Sequence, residues 1–397
     1  MQINSARFIE ELKRRGSIGE TPDGIDRTAF SPQYDLAAAS LCREFEAAGL
    51  TAEKDPVGNV FGCYNPGDSN KAPICIGSHL DTVKFGGLYD GNLGVSAAFE
   101  CIKTMQDNGY FPKHPILAVA FNAEEGGPLG GTFGSRAAAG NQNLSAEGTE
   151  EKLAGLGLKK EDVTGAKMKC LPQCYMELHI EQGGTLEKAH LDIGIVQGIV
   201  GITRYTVTVH GQANHAGTTA MEDRRDSLVA ASRLIIWIYS HACTYKKPFV
   251  ATVGCIKNSP NSVNVIPGTT SFVLELRDMS KGTIDAFMED LQKEISSITG
   301  YSITIAPYSS KGSVFLSSSV SALIEAVCRE SGRHFHTMFS GAGHDAMEMA
   351  KIVPTGLIFV PSHNGISHSK DEYTKDEDLS AGAQVLLEAV LKADQTD

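Results

Sequence analysis

The sequence predicts an α/β fold interrupted by a smaller α+β domain, on three observations. Up to about residue 200, short apolar strands alternate with helical segments, the α/β signature. From 203 to 312 the order becomes β-α-β-β-α-β, that of a ferredoxin-like split unit. Beyond 312 a helix, an apolar strand and a final helix resume the first pattern. The expected division is residues 1–202 with 313–397 as one domain, and 203–312 as an insertion.

Each element has its own warrant. "DLAAASLCREFEAAGL" (35–50) and "GVSAAFECIKTM" (94–105) space apolar residues by three and four, as a helix with one buried face does. "PICIGS" (73–78), "PILAVAFNAEE" (115–125), "CYMELHIEQG" (174–183) and "IGIVQGIV" (193–200) are apolar runs of strand length. In the insertion, "RYTVTV" (204–209) alternates like a half-exposed strand. "FVATVGCIKN" (249–258), "TSFVLELRD" (270–278) and "YSITIAPY" (301–308) are further strands, and 223–242 and 282–298 are helices. Then come the helical "SSVSALIEAVCRESG" (318–332), the buried strand "TGLIFVP" (355–361) and a last helix from about 376.

Composition narrows the function. The 397 residues, 42% hydrophobic and 21% charged, suffice for two or three domains with a real core. A net charge of −12 argues for solubility and against a nucleic-acid partner. The nine cysteines are odd in number and lie mostly in apolar runs. Free thiols in a reducing cytoplasm are therefore expected, and the C-x3-C at 170–174, which lacks a second pair, reads as structural. "MQINSARFIEELKRRG" is an amphipathic helix without a long apolar signal region, and no stretch is long enough for a membrane span.

Four places set polar clusters against apolar strands. "GSHLD" with "YDG" holds His79, Asp81 and Asp90, and "FNAEEG" holds Glu124 and Glu125. "ELHIEQG" holds Glu177, His179, Glu181 and Gln182, and "GISHS" holds His368. Singly, each has an ordinary reading: a strand-end histidine with its acid, a turn aspartate, a solvated acid pair, an outward strand histidine, a loop histidine. Jointly those readings need five coincidences at strand ends, where open α/β sheets carry their sites. Histidine and carboxylate together suit zinc and similar divalent ions, and a shared carboxylate is a natural basis for a two-metal hydrolase.

Through "GSHLDTV", "YDGNLGV", "NAEEG", "ELHIEQG", "ANHAGTT", "NVIPG", "LRD" and "GAGHDA", nearly the whole chain resembles the N-carbamoyl-L-amino-acid hydrolase, allantoate amidohydrolase and β-ureidopropionase group of two-metal amidohydrolases. The resemblance implies a mixed-sheet metallohydrolase domain with an inserted lid and dimerisation domain. It makes His79 and His179 ligands of one divalent ion, Glu125 and His368 ligands of a second, and Asp90 the bridge. Zinc is the first expectation, with manganese, cobalt and nickel as the others. Asp81 would orient His79, Glu124 would be the general base, and the glycines around Asp90 would let the backbone approach the metals. Arg277 would grip the substrate carboxylate with Asn264 as helper, Gln182 would bind the ureido end, and His215 would polarise the carbonyl oxygen. The ordinary readings are a strand arginine paired with Asp278, a turn asparagine, an exposed amide and a loop histidine. His344 and Asp345 read as helix-capping or support for the ligands, capping first.

The resemblance implies hydrolysis of the ureido C–N bond of N-carbamoyl-L-amino acids. Allantoate or another ureido acid is the runner-up, an aminoacylase or dipeptidase the third, and a binding protein with a retired metal site the non-enzyme alternative. Substrate would lie between the domains. A homodimer would form through about 203–312, with His215 reaching the partner's site. "GGPLGGTFGSR" (126–136) lacks the bulky or basic residues often found there in the group, and Ala220 stands where proline is frequent.

Overall fold

The structure is a computed structural model that describes residues 1–67 and 69–396. The chain divides into two compact units, Met1–Gln197 with Phe315–Asp397, and Gly198–Val314.

The first unit is built on a mixed sheet. In spatial order its main strands are Ile193–Ile199, Thr355–Val360, Cys174–Ile180, Ile74–His79, Ile116–Phe121, Val60–Tyr64 and Thr51–Lys54. The four from Thr355–Val360 to Ile116–Phe121 are parallel. Antiparallel strands flank them on both sides. Ile74–His79, Cys174–Ile180 and Thr355–Val360 are buried at every residue. This explains why they are largely apolar, because a parallel sheet is covered on both faces. Helix Asn92–Asp107 packs on the central strands and carries Ser5–Gly16 and Asp376–Ala393 around it. Helix Pro32–Ala47 covers the antiparallel end, started by Ser31, whose hydroxyl accepts from the Tyr34 N–H, and by proline in the first turn.

Arg27 ties the turn after helix Ser5–Gly16 to the residue that follows His79. Its guanidinium is fully buried and donates to the carbonyls of Leu80, Gly16 and Ile18 at 2.7, 2.9 and 2.7 Å. All nine cysteines are free thiols. No helix among the described residues is long and apolar enough to cross a membrane.

The second unit is a four-stranded antiparallel sheet ordered Val250–Ser259, Thr269–Asp278, Gly201–His210, Ser302–Lys311. Helices Ser227–Ala242 and Lys281–Ser297 pack on it through a core that includes Val207, Leu234, Phe272, Leu274, Phe287 and Leu291. Alternate burial along Thr269–Asp278 puts Phe272, Leu274 and Leu276 in that core.

Candidate metal centre

Ligand-type side chains gather at the carboxyl ends of the four parallel strands. His79 ends its strand, and His179 is the penultimate residue of its own. Beyond Phe121, Ala123 adopts φ +59°. That left-handed turn breaks strand alternation, so both acids after it reach the cluster. Glu124 Oε2 lies 4.0 Å from His79 Nε2, and Glu125 Oε2 lies 3.3 Å from His368 Nε2. Gln182 and His368 are also left-handed, at φ +56° and +54°. Such strain collects where surrounding structure fixes a site.

Asp90 is the hub. Its Oδ1 lies 3.2 Å from His79 Nε2 and 3.0 Å from His179 Nε2, and its Oδ2 lies 3.4 Å from His368 Nε2. Two groups that could each hold a cation share it: His79, Asp90 and His179, and Asp90, Glu125 and His368. The first is buried, while His368 in the second is exposed. Histidine nitrogens and carboxylate oxygens are the donor set of zinc and similar ions. Glu125 Oε1 and Gln182 Oε1 are buried there without a hydrogen-bond partner, as unused donors for a cation would be. The residues fit a pair of divalent ions.

The histidines are aimed from behind. His79 Nδ1 lies 3.0 Å from the Asp81 carbonyl oxygen, and His179 Nδ1 lies 2.9 Å from the Ile180 carbonyl oxygen. Asp81 therefore meets His79 through its carbonyl and, at longer range, through its carboxylate. The carboxylate stands 3.8 Å from Nδ1, and its two oxygens accept the N–H groups of Glu124 and Glu125, each at 3.1 Å. Gly91 has φ +66°, and a Cβ there would lie 2.4 Å from the His79 ring. The backbone thus passes directly over a candidate ligand. Gly87 makes room for a different group, since a Cβ there would lie 2.1 Å from Glu372 Oε1.

The electrostatics reflect crowded acids. Burial, then the charge of Asp90, pushes the Glu125 carboxyl up to about 8. Burial holds Glu124 well above the usual carboxylate range. Burial works against protonation of His79, but Asp90, Glu124 and Asp81 outweigh it and hold its pKa well above the ordinary value. The hydrogen bond to Asp90 lifts His368 to about 9 against partial burial. So much negative charge in a closed space favours a cation.

Residues 75–392 match the peptidase family M20/M25/M40. The chain belongs to that family. It is a hydrolytic enzyme acting on amide bonds. An N-carbamoyl-L-amino acid amidohydrolase of Geobacillus stearothermophilus is 35% identical over 402 residues, covering 98% of each chain. An allantoate amidohydrolase of Escherichia coli is 34% identical over 393 residues, covering 95% of each. The crystal structure of a hydantoinase/carbamoylase-family amidase from Burkholderia multivorans gives a TM-score of 0.90 at 30% identity, covering 98% of each chain.

The other expected residues of this M20/M25/M40 member are distributed as follows. Gln182 lies in the cluster, its Nε2 donating to Asp90 Oδ2 at 2.8 Å. His215, Asn264 and Arg277 belong to the second unit. His215 is exposed, and its Nδ1 accepts the N–H groups of Gly217 and Thr218. Asn264 lies on the neighbouring segment, its carbonyl accepting from Ala216 N–H at 3.0 Å. Arg277 pairs with Glu275 at 2.8 Å, whereas the ordinary strand reading gave it Asp278. Asp345 begins the short helix Ala346–Met349 but makes no side-chain cap, correcting that reading. His344 stacks edge-on to His179 with ring centroids 4.5 Å apart. Sequence reasoning missed Ser367 and Glu372, which contact Asp90.

Proposed function

We propose that this chain hydrolyses the ureido C–N bond of N-carbamoyl-L-amino acids, converting substrate and one water into amino acid, ammonia and carbon dioxide. The observation that carries the reading is Asp90, whose two oxygens serve two separate histidine–carboxylate groups. His79 and His179 would hold one divalent ion, Glu125 and His368 a second, with Asp90 between them. Zinc is first choice, with manganese, cobalt and nickel as the others. When bound, such ions polarise a carbonyl and make water a nucleophile at neutral pH.

Glu124 takes the proton of the attacking water and hands it to the leaving nitrogen. Asp81 anchors the backbone N–H of both Glu124 and Glu125, which lets neighbouring acids perform different tasks. Arg277 binds the substrate carboxylate, since a planar guanidinium suits a two-point grip. Asn264 assists it, His215 polarises the carbonyl oxygen and Gln182 contacts the ureido end.

The Gly198–Val314 unit serves as lid and dimerisation domain, and His215 acts on the partner subunit's substrate. Support for a dimer comes from Ile236 and Tyr239 on helix Ser227–Ala242, 66% and 71% exposed, and from Val250 and Ile256 on an edge strand. Allantoate is the second reading, because an allantoate amidohydrolase is as similar to this chain as the carbamoyl-amino-acid enzymes. A panel of N-carbamoyl-L-amino acids, N-carbamoyl-β-alanine and allantoate, assayed for ammonia release by metal-loaded protein, separates the two. Turnover of carbamoyl amino acids ahead of allantoate is expected. Turnover of allantoate alone, or of none, would overturn the first reading.

A further inference from the structure

Glu372 is 5% exposed and belongs to neither ligand group, yet it touches the hub of the centre. Its Oε1 accepts the backbone N–H groups of Tyr89 at 2.9 Å and Asp90 at 3.1 Å. Its Oε2 lies 2.8 Å from the Ser367 Oγ, whose single hydrogen is shared between this carboxylate and that of Asp90. The same hydroxyl oxygen lies 3.1 Å from Asp90 Oδ2. Glu372 therefore engages Asp90 twice, at its backbone directly and at its carboxylate through Ser367.

This arrangement leaves Asp90 little freedom. The turn carrying it is fixed by two N–H bonds to one oxygen, and the absence of a side chain at Gly87 lets that oxygen come close. Ser367 and Gln182 Nε2 both meet Oδ2, while Oδ1 faces His79 and His179. We propose that Glu372, acting through Ser367, is a positioning residue that sets the rotation of the Asp90 carboxylate so that each oxygen serves a different ion. The inference rests on the reading of Asp90 as a bridge between two ions.

The test is titration of metal-free protein with Mn²⁺, followed by electron paramagnetic resonance. A carboxylate bridge couples two manganese ions and gives a signal distinct from the six lines of separate ions. Wild type should take up two ions and show the coupled signal. Glu372→Ala and Ser367→Ala should bind the second ion 10–100-fold more weakly, the usual cost of losing a partner of a ligand, and show uncoupled ions. Glu372→Gln keeps an oxygen for the two N–H groups and a polar group against Ser367, so it should keep the coupling. A role confined to holding the turn would lower stability and leave the coupling of bound ions intact. Should Glu372→Ala fail to fold by circular dichroism, Ser367→Ala and Glu372→Gln carry the comparison. Coupled signals with affinities within about twofold of wild type in Ser367→Ala and any folded Glu372→Ala would overturn this inference alone. Two uncoupled ions in wild type would overturn the bridge, and this inference with it.

Discussion

Gly91→Ala tests whether the backbone passes over His79 because the site requires it. Alanine at φ +66° and ψ −48° costs about 1–3 kcal/mol in backbone strain. The new Cβ would sit 2.4 Å from the imidazole, against ordinary contacts of about 3.5–4.0 Å, so the ring must move by roughly 1 Å. Overpacking adds about 1–3 kcal/mol, for a total of about 2–6 kcal/mol. Metal-ligand distances hold to about ±0.2 Å, so the displacement should also empty the group formed by His79, Asp90 and His179. Gly109→Ala is the control, with φ +60° and nothing within 4 Å of its added Cβ. It carries backbone strain alone, about 1–2 kcal/mol. Urea unfolding reads the stability difference and elemental analysis after dialysis reads bound metal. If Gly91→Ala matches Gly109→Ala in both, the steric argument is wrong.

Glu124→Gln should retain metal and lose about two to four orders of magnitude in rate, while Glu125→Gln should lose metal too; equal metal loss in both would reverse the assignment. Arg27→Met should cost about 3–5 kcal/mol in urea unfolding, because two buried carbonyls and one partly buried carbonyl lose a charged donor, and a change under about 1 kcal/mol would mean that the loops hold without it. Mixing inactive His215→Ala subunits with inactive Glu124→Gln subunits should restore activity, since a heterodimer sharing residues across the interface has one intact site. No recovery after demonstrated subunit exchange would rule out the shared arrangement.

The centre is legible in sequence because its groups stand at the ends of apolar strands, where a solvated or capping role is hard to supply. What the sequence hides is tertiary. Glu372 sits in "SHSKDEYTKDED", where nothing separates it from its exposed neighbour Asp371. The strands Thr51–Lys54 and Phe335–Ser340 carry no long apolar run, and only pairing with neighbours makes them strands. The partner of Arg277 was within reach of local geometry. Adjacent strand residues point to opposite faces, so Glu275, two positions away, shares its face and Asp278 does not. Asp81 shows a different limit: the sequence offers its carboxylate as the partner of His79, but only the structure shows that its carbonyl oxygen is the closer one.

Strand Thr355–Val360 lies between Cys174–Ile180 and Ile193–Ile199, yet it is the last main-sheet strand to be made. On a ribosome, the slot it fills stays open until about 180 residues after Ile180 have been added. At roughly 5–20 residues per second that is about 9–36 s, and from Ile199 onward, about 8–32 s of it, two strand edges are unpaired beside apolar faces. The Gly198–Val314 unit is continuous in sequence and can close during that interval. His368 lies beyond that strand in sequence, so the candidate ligand groups are complete only once the strand itself has been made. Truncated or stalled chains ending before residue 355 should therefore be the aggregation-prone species of this protein.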